Sequence, residues 1–406
     1  MGTSVRKLKL VICNDLEKEK INEMYQFIRD AQYQQYRALN YAYGILLAGY
    51  QAGNMDLKSE EYKKAYDSLN AQNPLMQLPF GTGLSSRGLT RQKVTKDFKS
   101  DIKNGLAKGE RSGRNYKRTF PLMTRGRDLK FKYENEDVII SWVGKTRFGE
   151  PIKFKVIHGR KDKDTVELAH FLDCVISGQY KVQQSSLYFN DKKLMLNLTV
   201  DMEFKKHELD ENNILGVDLG IAVPVMCGMN HGKATMSIGD INSFLKVRTQ
   251  MQERKRRLQK DLKFKRGGRG RKHKLKPLEK LRDKERNWVH TYNHGLSKAV
   301  VDFAIKNNCK YIHMEKLTKD GFNDRLLRNW SYYELQQMIE YKAERVGIVV
   351  RYVNPAYTSQ TCSKCGAIHK ESRINQSTYI CVECGHEINA DYNASINIAR
   401  SMNFVK

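Results

Sequence analysis

The sequence holds no apolar run of about 18 residues or more, the length a membrane-crossing helix needs. It also lacks a basic leader that runs into an apolar stretch and small residues. Neither a span nor a signal peptide is therefore expected, and the cytoplasm is the expected compartment. Acids are scarce relative to bases: 45 Asp and Glu stand against 72 Lys and Arg, a formal net charge of +27. That imbalance attracts polyanions and makes nucleic acid the first partner to consider, with a ribosome-associated or merely soluble basic protein as the plain alternative. Cysteine is sparse as well, eight in 406 residues. Cys13, Cys174, Cys227 and Cys309 stand singly and read as small buried hydrophobes, and a disulfide framework is not expected in a reducing compartment.

At 406 residues the chain exceeds one compact core and is expected to form two or three domains. Residues 5 to 13, VRKLKLVIC, alternate like a half-buried strand, and a helical pattern follows from Leu16 to about Gly49. There Met24, Phe27, Ile28, Ala31, Ala38, Leu39 and Ala42 fall near helical spacing, interrupted by Gln35. A second helical stretch, about 84 to 109, carries Arg87, Arg91 and Lys96 on a face that could track a phosphate backbone, or simply be solvated. From 120 to 206 alternation returns in FKYENEDVIISWVG, EPIKFKVIH, YKVQQSSLYFN and KKLMLNLTVDMEF, with Asn190 and Asp191 at a hairpin turn. These strands and the first one predict a small antiparallel barrel or sandwich, a β-barrel-like domain over 1–14 and 116–208, interrupted by a helical insert, 15–115. From 213 onward the pattern is α/β, with long helices expected near 239–263 and 277–307.

Three acids in that α/β region form a set. Asp218 ends the apolar strand of ILGVDLG, Glu315 ends that of KYIHMEKL, and Asp391 precedes the helical NASINIAR. Singly they read as a turn residue, an exposed strand-end acid and a helix N-cap. Together, three convergent carboxylates can hold two magnesium ions and hydrolyse a phosphodiester. Pro224, in the strand-like run after Asp218, suggests an edge position or a bulge.

The strongest single motif is Cys362, Cys365, Cys381 and Cys384, two C-x2-C pairs fifteen residues apart with glycines at 366 and 385. This is the spacing of a structural four-cysteine zinc ribbon, expected over 359–385 and holding one zinc. Four thiolates leave no role for His369 or His386. Between the long helices, residues 251 to 286 carry seventeen Lys and Arg against five acids, with Lys263, Lys265, Arg266, Arg269, Arg271 and Lys272 around a glycine-broken tip. Such density calls for a polyanion to neutralise it.

With these segments in view, the chain resembles the miniature type V-F CRISPR effector nucleases and, close to them, the transposon-encoded RNA-guided nucleases. The resemblance lies in GVDLG, HMEKL, NWSYYELQQMIEYKAERVGIVVRYVNPAYTSQTCSKCG and CVECGHEINADYNASINIA; before residue 210 it lies only in layout. It implies an RNase H-like RuvC nuclease domain over 209–358 and 386–406, with Asp218, Glu315 and Asp391 as its three motif acids and the ribbon as a target nucleic-acid-binding element. Arg373 stands where the family has an arginine near the scissile phosphate, or is one more exposed base. The resemblance further implies a guide RNA that supplies sequence specificity, target DNA as substrate, a short adjacent DNA motif read by the protein, and two protein copies on one guide RNA. A non-catalytic zinc-ribbon nucleic-acid-binding protein, or a transposase with the same metal chemistry, are the readings of other classes.

Overall fold

The computed structural model of the protein describes residues 2–71, 86–110, 112–142, 148–158, 162–191, 193–220, 223–264, 268–316, 332–375 and 377–405. They fall into two units, Met1–Glu203 and Phe204–Lys406. Among the described residues no helix is long and apolar enough to cross a membrane.

In the first unit the opening alternation forms β1 (Gly2–Ile12), which buries Leu8, Leu10 and Ile12 and turns Lys7 and Val11 outward. It runs between two strands from far along the chain, β5 (Ile152–Ile157) and β8 (Lys193–Met202), antiparallel to both. The antiparallel sheet continues through β4 (Asp137–Trp142) and β3 (Leu129–Glu134) on one side, and through β7 (Ser185–Asn190) and β2 (Leu122–Thr124) on the other, with β6 (Lys181–Val182) also on β8. Among the described residues no ladder joins the β2 edge to the β3 edge. Asp191, at a φ of 54°, supplies the left-handed residue of the turn between β7 and β8.

The helices between β1 and β2 are α1 (Lys18–Ala52), α2 (Glu60–Ala71) and α3 (Ser86–Asp101). Gln35 interrupts the apolar stripe of α1 for a structural reason. Before it, Met24, Phe27, Ile28 and Ala31 pack into the sheet core. After it, Ala38, Leu39, Ala42, Tyr43 and Leu46 pack into a separate helical core with Leu89, Val94 and Phe98. At the changeover the buried Gln35 amide donates to the Pro121 carbonyl at 2.8 Å and accepts from the Met123 N–H at 2.9 Å, pairing backbone that would otherwise be orphaned. The strand pattern left residues 159 to 179 unassigned; α4 (Asp162–Ile176) lies there and seals the sheet core with Phe171, Leu172 and Val175.

The second unit is built on five strands, β9 (Asp210–Asp218), β10 (Val225–Met229), β11 (Thr235–Ile238), β12 (Cys309–Glu315) and β13 (Val349–Val353), in the order β11-β10-β9-β12-β13. The first three are antiparallel neighbours, and β12 and β13 run parallel to β9. Pro224 marks neither an edge nor a bulge: it precedes β10, which is paired on both sides, so its missing N–H falls outside the ladder. Between β11 and β12 stand α5 (Ile241–Lys263) and α6 (Gly268–Lys306), and α7 (Tyr332–Val346) precedes β13. Asp240 caps α5 by accepting from the N–H groups of Asn242 and Ser243. The expected start of the second long helix at 277 is too late, since Pro277 lies inside α6. An interior proline removes one backbone hydrogen bond, a loss that the rest of a 39-residue helix absorbs.

The chain closes with a ribbon hairpin, β14 (Thr378–Ile380) and β15 (Glu387–Asn389), and α8 (Ala390–Arg400). Leu215, Val217, Val225, Val300, Ile312, Met314, Leu335 and Ile339 form the core of the unit. Of the single cysteines, Cys174, Cys227 and Cys309 are buried as expected, while Cys13 is only half-buried.

Candidate active site

The parallel register of β9 and β12 places Val217 beside Met314. The next residue of each strand is an acid, so Asp218 and Glu315 emerge side by side at the C-terminal ends of adjacent strands. The third acid arrives on α8, which packs on β9 and β10 and presents Asp391 in its first turn. Asp391 is not the N-cap: Asn389 fills that position and accepts from the Tyr392 N–H at 3.0 Å. Relieved of capping, the Asp391 carboxylate, on a residue only 7% exposed, is available for other work.

The three carboxyls sense one another. Burial, then the charges of Glu315 and Asp391, push Asp218 up to about 7. Burial raises Glu315, opposed by a hydrogen bond from the Thr358 hydroxyl and by the charge of Arg373. Burial also raises Asp391, and again Arg373 opposes it. Arg373 is thus the cation common to all three, and its Nη2 stands 3.3 Å from Asp391 Oδ1. One buried and two half-buried acids sharing a single cation are the donor set that a hard divalent cation stabilises. Among the described residues, however, only the four cysteines have ligand atoms all within 4.8 Å of one another, so the three acids are spaced more widely than the thiols.

Several positioning groups were not legible as such. Gln336, on α7, donates to the Glu315 carbonyl at 2.6 Å, and the Tyr332 hydroxyl donates to the Gly220 carbonyl at 3.1 Å. Thr358 is set by α8: Asn397 donates to the carbonyls of Thr358 and Thr361, and Asn393 donates to Thr361 and accepts from the Ser363 N–H. The signal was the i, i+4 spacing of two asparagines in YNASIN, which puts both amides on one helix face.

Cys362, Cys365, Cys381 and Cys384 converge. The Cys362–Cys384 sulfurs are 3.8 Å apart and the Cys365–Cys381 sulfurs 3.6 Å, against about 3.8 Å for a tetrahedron with Zn–S bonds of about 2.3 Å. Two like turns present them: the Gly366 N–H donates to the Cys362 carbonyl and the Gly385 N–H to the Cys381 carbonyl, each at 2.9 Å. Both glycines have positive φ, 79° and 65°, which a side chain would strain. The N–H groups of Cys384 and Glu383 draw the Cys381 thiol down, while its neighbour Cys365, against the lowering pull of the Ala367 N–H, is pushed up by desolvation and hydrogen bonds with the other three thiols, so the cluster shares its protons. The donor set, the spacing and the turns fit one structural zinc. His369 is not part of it, since its Nε2 meets Glu383 Oε1 at 3.0 Å. The ribbon is tied to the acids by Arg373, which bridges to Tyr379 along the strand edge.

The predicted basic residues are more dispersed. Lys263 ends α5 and is exposed, Arg269, Arg271 and Lys272 lie in α6, and Lys265 and Arg266 fall outside the described residues. In the first unit Arg87, Arg91 and Lys96 all lie in α3. Lys96 is exposed. The Arg91 guanidinium instead packs 4.1 Å from the Tyr66 ring centre, with its Nε buried, so it does not belong to a freely solvated basic face.

A family model described as Cas12f1-like, TNB domain, matches residues 332–398, from α7 through the ribbon into α8. The chain is 38% identical over 322 residues to a CRISPR-associated endodeoxyribonuclease Cas12f1 of Sulfoacidibacillus thermotolerans, covering 76% of this chain and 75% of that protein. It is 30% identical over 203 residues to the putative RNA-guided DNA endonuclease InsQ of Escherichia coli K12, covering 46% of this chain and 48% of that one. Among solved structures it matches a Cas12f1-sgRNA-target DNA complex at a TM-score of 0.77 and 20% identity, over 100% of this chain and 99% of the other. That likeness carries the fold through both units.

Proposed function

Since the chain belongs to the Cas12f1 family of CRISPR-associated endodeoxyribonucleases, we propose that it cuts DNA chosen by a guide RNA at one carboxylate site formed by Asp218, Glu315 and Asp391. What carries this reading is the meeting of two strand-end acids and one first-turn helix acid, with the Asp218 pKa pushed up to about 7 by burial and then by its two acidic neighbours. The order β11-β10-β9-β12-β13, antiparallel on one side and parallel on the other, supports an RNase H-like RuvC domain over 209–358 and 386–406. The eight-stranded antiparallel sheet supports a barrel-like domain over 1–14 and 116–208, with the helices of 15–115 as a recognition insert.

Two magnesium ions held by the three carboxylates would activate water and stabilise the leaving oxygen of a phosphodiester. Asp218 and Glu315 are fixed by strand ends, so their carboxyls stay in place without a substrate to order them. The Thr358 hydroxyl orients Glu315, and Arg373, beside Asp391, is placed to meet the negative charge of the scissile phosphate. The ribbon, over 359–385 and holding one zinc, would serve as a structural arm that carries Arg373 and touches target nucleic acid. Guide pairing would supply sequence choice, with the first unit reading a short adjacent DNA motif. Two copies on one guide RNA complete the proposal.

The likeness to a CRISPR effector, 38% over 76% of the chain, exceeds that to the InsQ protein, 30% over 46%, and favours the CRISPR setting over a transposon-encoded one. The test is to purify the protein with its co-expressed RNA, sequence that RNA, weigh the complex, and assay guided cleavage of Asp218→Ala, Glu315→Ala and Asp391→Ala. A discrete guide RNA, two chains per RNA, and loss of cutting with retained target binding are expected. Normal cutting by any one variant removes that acid from the site.

A further inference from the structure

Between α5 and α6, and reaching the start of α7, the second unit has an open cleft of about 360 Å³. Its wall holds four cations, Arg248, Lys255, Arg282 and Arg286, against two carboxylates, Glu285 and Glu334. Arg248 is 1% exposed, yet its Nε and Nη1 make no hydrogen bond. The nearest acid oxygen, Glu285 Oε1, is 3.7 Å from Nε, an ion pair beyond hydrogen-bonding distance. A buried guanidinium with idle donors is costly, and an anion is the partner that would complete it, since the Phe244 ring, 5.9 Å from the guanidinium carbon, takes up none of its N–H groups. Arg282 and Arg286 are exposed on the α6 side, and with Lys255 they belong to the run of seventeen bases over 251–286. An anion arriving along that run would find the buried fork at its end. The planar fork of an arginine suits phosphate oxygens taken two at a time.

We propose that this cleft is an anion site in which Arg248 takes one backbone phosphate of nucleic acid, with Lys255 and Arg282 beside it. The identity of the strand, guide RNA or target DNA, rests on the function proposed above; the anion site does not. Glu285 then acts as a stand-in that holds the guanidinium until the phosphate enters.

The experiment compares the full-length wild type with Arg248→Gln and Glu285→Gln in three arms: thermal unfolding in inorganic phosphate against chloride at equal ionic strength, affinity for guide RNA across a salt series, and affinity of the guide-loaded protein for target duplex across the same series. For Arg248→Gln, the phosphate-specific rise in Tm should vanish. One binding arm should weaken by about tenfold, with a salt slope shallower by about 0.7 for a single strand or 0.9 for a duplex. The arm that changes names the strand. A folded Arg248→Gln with all three arms unchanged overturns the proposal. If Arg248→Gln does not fold, Glu285→Gln decides: tighter nucleic-acid binding supports an anion site, while unchanged or weaker binding makes the pair an internal one and overturns it. Should the wild type bind no guide RNA, the proposed function fails, and the phosphate arm still decides the anion site.

Discussion

A Cβ added to Gly216 would lie 1.9 Å from the carbonyl oxygen of Ser395, so β9 and α8 meet there backbone to backbone. Gly228 on β10, directly across the ladder from Gly216, would place its own Cβ 2.3 Å from Ser395 Oγ. Two paired glycines thus make a floor flat enough for α8 to come down on the sheet, and that descent brings Asp391 to the strand ends. Gly216→Ala should force α8 away, lowering stability by about 1–3 kcal/mol and abolishing guided cleavage. Gly228→Ala meets a side chain instead, so the added change Ser395→Ala should restore most of both. Unfolding curves and cleavage assays on the three variants check this; a fully active Gly216→Ala would show that α8 is not held by that approach.

Asp218, raised to about 7, makes the metal-free protein pH-sensitive. Below the ordinary carboxylate range the group is protonated in both folded and unfolded states and costs nothing. As pH rises from about 4 to 7 the unfolded chain releases its proton while the folded chain retains one, so stability falls across that window and levels off above it. Asp218→Asn should therefore stabilise the metal-free protein at pH 8, on the order of 4 kcal/mol, while cleavage is lost. Magnesium binding by the wild type should strengthen with pH up to about 7, followed by calorimetry. A stability profile identical in Asp218→Asn and wild type would contradict the assignment.

Arg373 lowers the pKa of all three acids. Arg373→Gln should let each rise, moving the acidic limb of the cleavage pH profile to higher pH and slowing cutting at pH 7 by about tenfold or more. An incidental surface base would leave that limb where it was.

Metal analysis should find about one zinc per chain. Cys362→Ser or Cys384→Ser should release it, lower Tm, and reduce cleavage by loosening the segment between the two cysteine pairs that carries Arg373. Active protein free of zinc would remove the four-cysteine assignment.

Replacing Lys263, Lys265, Arg266, Arg269, Arg271 and Lys272 together with Gln should weaken nucleic-acid binding alike across targets. The dependence of log affinity on log salt should flatten, by up to about 0.7 to 0.9 for each phosphate the tip no longer neutralises. A folded sixfold variant with the wild-type slope would leave this tip without a nucleic-acid role.

Much of this protein was legible because its signals are local. Alternation in VRKLKLVIC gives a strand whichever partner it finds, two C-x2-C pairs give a thiolate cluster because each turn holds its own sulfurs, and the excess of lysine and arginine gives a polyanion field without reference to fold. The strand-end positions of Asp218 and Glu315 also follow from their place after short apolar runs. Helix ends were less legible: the second long helix was expected from 277, yet it starts at Gly268 and runs through Pro277.

What the chain alone left open was which residues share a point in space. Asp391 taken alone read more readily as a helix cap than as a ligand, and the cap proved to be Asn389. Gln35 looked like a flaw in a stripe until the backbone of Pro121 and Met123 came to meet it. Arg248 was one base among many until two helices closed over it. The sequence determined the elements, the metal-binding turns and the charge, all set by neighbours along the chain. The tertiary structure decided the register of β9 against β12, the depth to which α8 settles on Gly216 and Gly228, and hence the meeting of three acids, because those depend on residues far apart in the chain, whose relative geometry only packing fixes.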